Sequence, residues 1–181
     1  MKKLSADTKI SGTNYSVVDF WSWGFSDLLM NSLRGIFAEF LVGSTLGILQ
    51  SPRIEWDAYD LVYNNKKIEV KSSAYIQSWH RGKYSTISFD IGAKKTYSYD
   101  TNMYSENAVR SADIYVFCLL KEKDENIINV LNTQQWSFYI VPTEILDNLY
   151  PCQKRISLKS LGKIGTAVSY SNLRKTINKI C

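Results

Sequence analysis

The stretch Asp57-Ala58-Tyr59-Asp60-Leu61-Val62-Tyr63-Asn64-Asn65-Lys66-Lys67-Ile68-Glu69-Val70-Lys71-Ser72-Ser73 decides the fold. Two short runs of strand type, Tyr59–Tyr63 and Lys67–Ser72, flank Asn64-Asn65-Lys66. Asparagine-rich tips favour tight hairpin turns. In an extended strand the side chains alternate faces, so Glu69 and Lys71 share one face while Ile68 and Val70 point into a core. Asp60 opens the partner strand. Such a hairpin carries two carboxylates and one ammonium to one edge of a sheet.

Upstream, Val17 to Leu46 reads as helix, in two pieces broken near Gly24. Ser26 or Asp27 is placed to cap the second piece. Its apolar residues Leu29, Leu33, Ile36, Phe37, Phe40 and Leu41 recur at helical spacing, and Gly47 is a natural end. Residues 1–15 look irregular. Downstream, Ser85–Ile91 alternates as a third strand with Ile87, Phe89 and Ile91 on one side. Asp113–Leu120 is a continuous apolar run, as a central strand buried on both faces requires. Trp136–Val141 follows as a strand, Thr143–Leu149 as a short capped helix, and Ser171–Ile180 as a closing helix. Residues 92–112, rich in Tyr, Ser and Asn, read as a long loop with one helix near Glu106–Arg110. Loops of that length in compact domains are often functional. The order predicts an α/β (α+β mixed) fold, a mixed central sheet flanked by helices. Without repeats or a Gly/Ser-rich linker, residues 1–181 are expected to form a single domain.

Composition narrows the class. The chain has 181 residues, 45% apolar and 22% charged, ordinary values for a water-soluble globular protein. No apolar run approaches the ~20 residues of a membrane span. The N-terminal Met1-Lys2-Lys3-Leu4-Ser5-Ala6-Asp7 is basic with no apolar stretch behind it, so no secretory signal is expected. Three cysteines without metal-ligand spacing, and a single histidine, argue against zinc and for a cytoplasmic location. Cys118, inside an apolar run, is expected in the core. The net charge of +5 is concentrated: residues 151–181 hold seven basic side chains and no acidic one. A basic segment suits a polyanion or forms a solvated surface.

The hairpin carboxylates suit phosphodiester chemistry. Carboxylates hold a hard divalent cation such as Mg²⁺, which polarises a phosphoryl oxygen and lowers the pKa of bound water. A neighbouring lysine orients that water or stabilises charge building on phosphate. Glu39 offers a third carboxylate on a helix with apolar neighbours, where it needs a partner. Arg34 on the same helix is suited to a carboxylate or a phosphate.

Helix-borne Glu39, then Asp60, then Glu69-Val70-Lys71 in a hairpin, resembles the PD-(D/E)xK (restriction-endonuclease-like) nuclease superfamily. The longer text from Asn31 to Trp79, with Arg34-Gly35, Trp56-Asp57, Tyr59-Asp60 and Glu69-Val70-Lys71-Ser72-Ser73-Ala74-Tyr75-Ile76-Gln77-Ser78-Trp79, resembles bacterial members of it. The resemblance implies Mg²⁺-dependent cleavage of DNA, with Mn²⁺ as a substitute ion. It implies Asp60, Glu69 and the Val70 backbone carbonyl as metal ligands, Lys71 as the catalytic lysine and Glu39 as the auxiliary helix carboxylate. The chain departs from the pattern in one respect: no proline precedes either aspartate, so Asp57 and Asp60 compete for the ligand role.

Gln77 reads either as a site residue holding water or phosphate or as a surface amide. His80, Arg81 and Lys83 read as DNA-backbone contacts or as a solvated loop. Trp21, Trp23 and Trp79 are expected to pack, although such rings also stack on bases. Tyr97, Tyr99 and Tyr104 either line a nucleic-acid cleft or cover the sheet. The function expected is an endodeoxyribonuclease of the restriction, repair or defence type. A homodimer or a partner recognition subunit is expected in view of the chain's length. The competing readings are a non-catalytic nucleic-acid-binding module on the same fold, and an interaction protein with an incidental acidic cluster.

Overall fold

A computed structural model describes residues 2–55, 58–95, 97–98 and 102–181. Its elements run α1 (Val17–Phe25), α2 (Asn31–Leu46), β1 (Leu61–Tyr63), β2 (Lys66–Ala74), β3 (Ser88–Asp90), β4 (Tyr97–Ser98), β5 (Met103–Tyr104), β6 (Ile114–Leu120), β7 (Trp136–Pro142), α3 (Thr143–Leu149), β8 (Arg155–Ser157), α4 (Leu158–Ile164) and α5 (Tyr170–Ile177). The central sheet has the order β1-β2-β6-β7. β1 and β2 form an antiparallel hairpin, β2 runs parallel to β6, and β7 is antiparallel to β6. The sheet is therefore mixed, with helices on both faces.

The hairpin turn is tighter than Asn64-Asn65-Lys66. Tyr63 pairs directly with Lys66, leaving two turn residues, Asn64 (φ 48°) and Asn65 (φ 60°). Positive φ at both is the primed turn that matches strand twist, and asparagine tolerates it. Lys66 thus belongs to β2.

All seven residues of β6 are buried, as its apolar run predicts. Along β6, alternate residues enter two separate cores. Ile114, Val116 and Cys118 join α2, α5 and the inner face of β2 in one. Tyr115, Phe117 and Leu119 join β3, β8, α3 and α4 in the other. Asp113 fixes where β2 meets β6: its carboxylate accepts the Lys67 N–H at 2.8 Å, and its own N–H donates to the Lys67 carbonyl at 2.8 Å.

Three local expectations are corrected. The helix is in two pieces as expected, α1 ending at Phe25 just past Gly24, but α2 starts only at Asn31, so neither Ser26 nor Asp27 caps it. The Ser26 hydroxyl is spent on the Ser22 carbonyl of α1, and the chain first turns Leu28 and Leu29 inward against the core. Gly47 does end α2, in the left-handed conformation at φ 76°. The Ser85–Ile91 strand leaves the central sheet: β3 pairs with β8, because both edges of β2 are already taken by β1 and β6. Its alternation is as expected, with Ile87, Phe89 and Ile91 buried. No helix forms at Glu106–Arg110; Val109 bridges back to Lys94, and β4 pairs with β5 nearby. β8 and α4 were not anticipated, since their apolar residues are too few to show a period.

Among the described residues no helix is long and apolar enough to cross a membrane.

Candidate active site

The hairpin register places the chemistry. Leu61 pairs with Ile68, and the Asp60 N–H extends the ladder to the Ile68 carbonyl at 3.0 Å. Asp60 then turns its carboxylate back onto β2 and accepts the Val70 N–H at 2.7 Å. Glu69 and Lys71 lie beside Tyr115 and Phe117 of β6, on the face opposite Ile68 and Val70. A one-residue slip would exchange those faces, so the two-asparagine turn is part of the site.

Asp60, Glu69 and Lys71 all line one cleft of about 500 Å³. The Lys71 ammonium donates to the Glu69 carboxylate. Burial lifts Asp60 to about 7, helped by the charges of Glu69 and then Glu39, against the Val70 hydrogen bond and Lys71. Burial works against the Lys71 charge too, yet Glu69 and Asp60 hold its pKa above the ordinary lysine value. Burial and Glu69 push the Tyr115 phenol, also in the cleft wall, well up. The site therefore has more buried carboxylate than cation, and its lysine stays protonated.

The opposite wall comes from β3 and the loop 92–112. Asp90 stands there, its carboxylate accepting the Gly92 N–H at 3.0 Å. Although burial opposes it, that bond and the charges of Lys94 and Lys71 keep Asp90 below the ordinary aspartate value. Lys94 and Lys95 add positive charge along the exposed rim, whereas the Arg110 side chain is buried and paired with Asp147 at 2.5 Å. Arg110 also anchors the loop, donating to the Ile91 carbonyl at 2.6 Å and the Tyr150 carbonyl at 2.7 Å. Tyr97 and Tyr104 line the same cleft, edge to face at 5.2 Å.

The family model of bacteriophage T4 endonuclease IV matches residues 5–139, most of the chain. The chain belongs to the bacteriophage T4 endonuclease IV family. No curated protein matches it. The endonuclease IV match takes in α1, α2, the hairpin, the loop 92–112 and β6, and stops before the basic tail.

Within this endonuclease IV family member, other candidates lie outside the cleft. Glu39 is on the far side of Asp60, gripped by both nitrogens of an Arg53 fork, Nη2 at 2.9 Å from Oε1. It reaches the site through charge, not contact. Arg34 is fully buried and satisfied by neutral acceptors: the Leu29 carbonyl at 3.0 Å, Asn31 Oδ1 at 2.6 Å, Ser72 Oγ at 3.3 Å and the Gln77 amide oxygen. Gln77 is buried in that network, neither a surface amide nor part of the cleft wall. His80 is held by Glu125 at 3.0 Å and stacks on Tyr84. Arg81 and Lys83 are exposed on the same loop. Asp57 and Tyr99 lie outside the described residues. Contrary to expectation, Trp21, Trp23 and Trp79 are exposed.

Sequence reading missed Asp90, Lys94, Lys95 and Arg110 as cleft residues. The available signal was the loop itself, long and poor in aliphatics, which marks a segment but not its inward side chains. Among the described residues no three His, Cys, Asp or Glu side chains converge to hold a metal.

Proposed function

We propose that this chain is a Mg²⁺-dependent endodeoxyribonuclease of the PD-(D/E)xK type, with Mn²⁺ as a substitute ion. The observation that carries the reading is the convergence of Asp60, Glu69 and Lys71 in one cleft, with Asp60 raised to about 7 by burial and then by the neighbouring charges of Glu69 and Glu39. Oxygen donors short of a counter-charge fit a hard divalent cation. Mg²⁺ needs only one or two carboxylates, the rest of its shell being water and substrate phosphate. Asp60, Glu69 and the Val70 carbonyl would hold it. When bound, it supplies Lewis-acid polarisation of the phosphoryl group and a water of lowered pKa.

The protein's own groups supply the rest. Lys71, kept protonated by Glu69 and Asp60, serves as a fixed cation for the charge that builds on phosphate, not as a base. Lys94 and Lys95 draw the phosphate backbone to the rim. Tyr97 and Tyr104 offer ring faces to bases. Glu39, held by Arg53, sets the charge behind Asp60 as a positioning residue.

The test is cleavage of supercoiled plasmid in Mg²⁺ and Mn²⁺ by the wild type and by Lys71→Ala. Cleavage by the wild type, abolished by chelator and lost in the folded variant, is the expected result. DNA binding without cleavage in either metal would instead make the chain a binding module.

A further inference from the structure

Helix α1 carries apolar residues almost all round, Val18, Phe20, Trp21, Trp23 and Phe25, yet buries only Val17. Trp23 is 85% exposed. A helix of that composition belongs in an interior. Its one charge, Asp19, is engaged at the helix start by the Ser16 N–H at 2.7 Å and the Ser16 hydroxyl at 2.6 Å. A second apolar feature lies on α2 and the segments 48–54 and 59–62. It is a groove of about 480 Å³ with Ile36, Phe40, Ile54 and Val62 exposed along it. The chain thus presents both an uncovered apolar helix and an uncovered apolar groove.

We propose that the occupant of each is a second copy of this chain: α1 of one copy seats in the groove of the other, and reciprocally. Exchange of that kind closes under a twofold axis, and helix-in-groove docking needs only apolar anchors at helical spacing. The area is sufficient. With roughly 150–250 Å² per aromatic side chain, the exposed parts of α1, Tyr15 and Met30 come to on the order of 800 Å², which a standard interface buries per partner. The charge pattern selects a protein partner over a lipid surface. Interfacial helices carry Lys or Arg on their polar face; α1 has none and holds an aspartate. At nine residues it is also far too short to span a bilayer.

The test is the mass of the full chain by sedimentation equilibrium at micromolar concentration, with Trp23→Asp on the helix and Phe40→Asp or Ile54→Asp in the groove. All three positions are exposed, and circular dichroism checks the fold. Expected are twice the monomer mass for the wild type, and monomers for each variant alone. A mixture of Trp23→Asp with a groove variant recovers dimer, because one of its two contacts is intact, with weaker affinity than the wild type. A monomeric wild type overturns the proposal. So do groove variants that still dimerise, a mixture that stays monomeric, or a monomeric wild type that sediments with phosphatidylserine-containing vesicles. None of these outcomes depends on nuclease activity.

Discussion

The two faces of β2 each hold a cation, one partly and one fully buried, and the two are kept in opposite ways. On the cleft face, Lys71 sits among carboxylates, paired to Glu69 with Asp60 and Asp90 adding charge. On the other face, Arg34 is fully buried among neutral acceptors only. Burial lowers Arg34 to about 10, whereas Lys71 is held above its ordinary value despite burial. A cation satisfied by amides and carbonyls braces α2 against β2. A cation outnumbered by carboxylates marks a place where more positive charge is wanted. The comparison separates a strut from a reactive centre, and mutation can break it on either side.

The largest effect falls on the cleft face. Lys71→Met is expected to lower the rate of DNA cleavage about 10²–10³-fold, the scale for removing a donor that meets transition-state charge. The variant should remain folded by circular dichroism. A variant retaining wild-type rate would return Lys71 to the status of a surface partner for Glu69.

Arg34 should behave in the reverse sense. Arg34→Met leaves the Gln77 and Asn31 side-chain oxygens and the Leu29 carbonyl without their donor, at a cost of about 2–4 kcal/mol of stability. Urea denaturation measures it. Arg34→Lys should recover little, because one ammonium cannot replace a planar fork that reaches four groups.

The same contrast explains what the sequence made readable. β6 was legible because seven apolar residues in a row suit only a strand buried on both faces. The Glu69/Lys71 face was legible because strand alternation needs no tertiary information. Asp90 was not, since the strand that carries it leaves the sheet, and only tertiary packing brings β3 across from β2. Gln77 was misplaced for a related reason. Its flanking Ile76 and Ser78 give no sign of a buried amide, and its partner Arg34 lies 43 residues away. The exposed tryptophans of α1 reverse an expectation that holds when a chain supplies its own covering. Glu39 was rightly read as needing a partner, but the partner is Arg53, which nothing in the local pattern singles out.

A smaller effect follows from Asp60. Its folded value of about 7 lies above the roughly 3.9 of an unfolded aspartate. The native state therefore binds more protons between those values, and metal-free stability falls as pH rises through the window, then levels off. Asp60→Asn removes that loss. Unfolding in chelator should show the variant more stable than the wild type by roughly 1–3 kcal/mol at pH 8 and about equal at pH 4. Added Mg²⁺ should stabilise the wild type at pH 8 and leave the variant nearly unchanged. Equal stability of the two proteins at pH 8 would mean that burial and the neighbouring carboxylates do not raise Asp60.

The smallest effect belongs to the rim. Lys94 is exposed, and its ion pair to Asp90 at 3.5 Å is the solvent-facing kind that contributes little to stability. Its value lies in phosphate attraction. Lys94→Ala should leave the unfolding midpoint unchanged and weaken DNA binding severalfold, lowering the slope of log affinity against log salt by about 1. Arg81→Ala is the control, because Arg81 lies on the separate loop beside His80 and Glu125. If Lys94 changes the slope and Arg81 does not, the backbone runs along the cleft wall formed by the loop 92–112. If only Arg81 changes it, DNA approaches over the 77–87 loop, and the basic rim of the cleft serves to hold Asp90 in place.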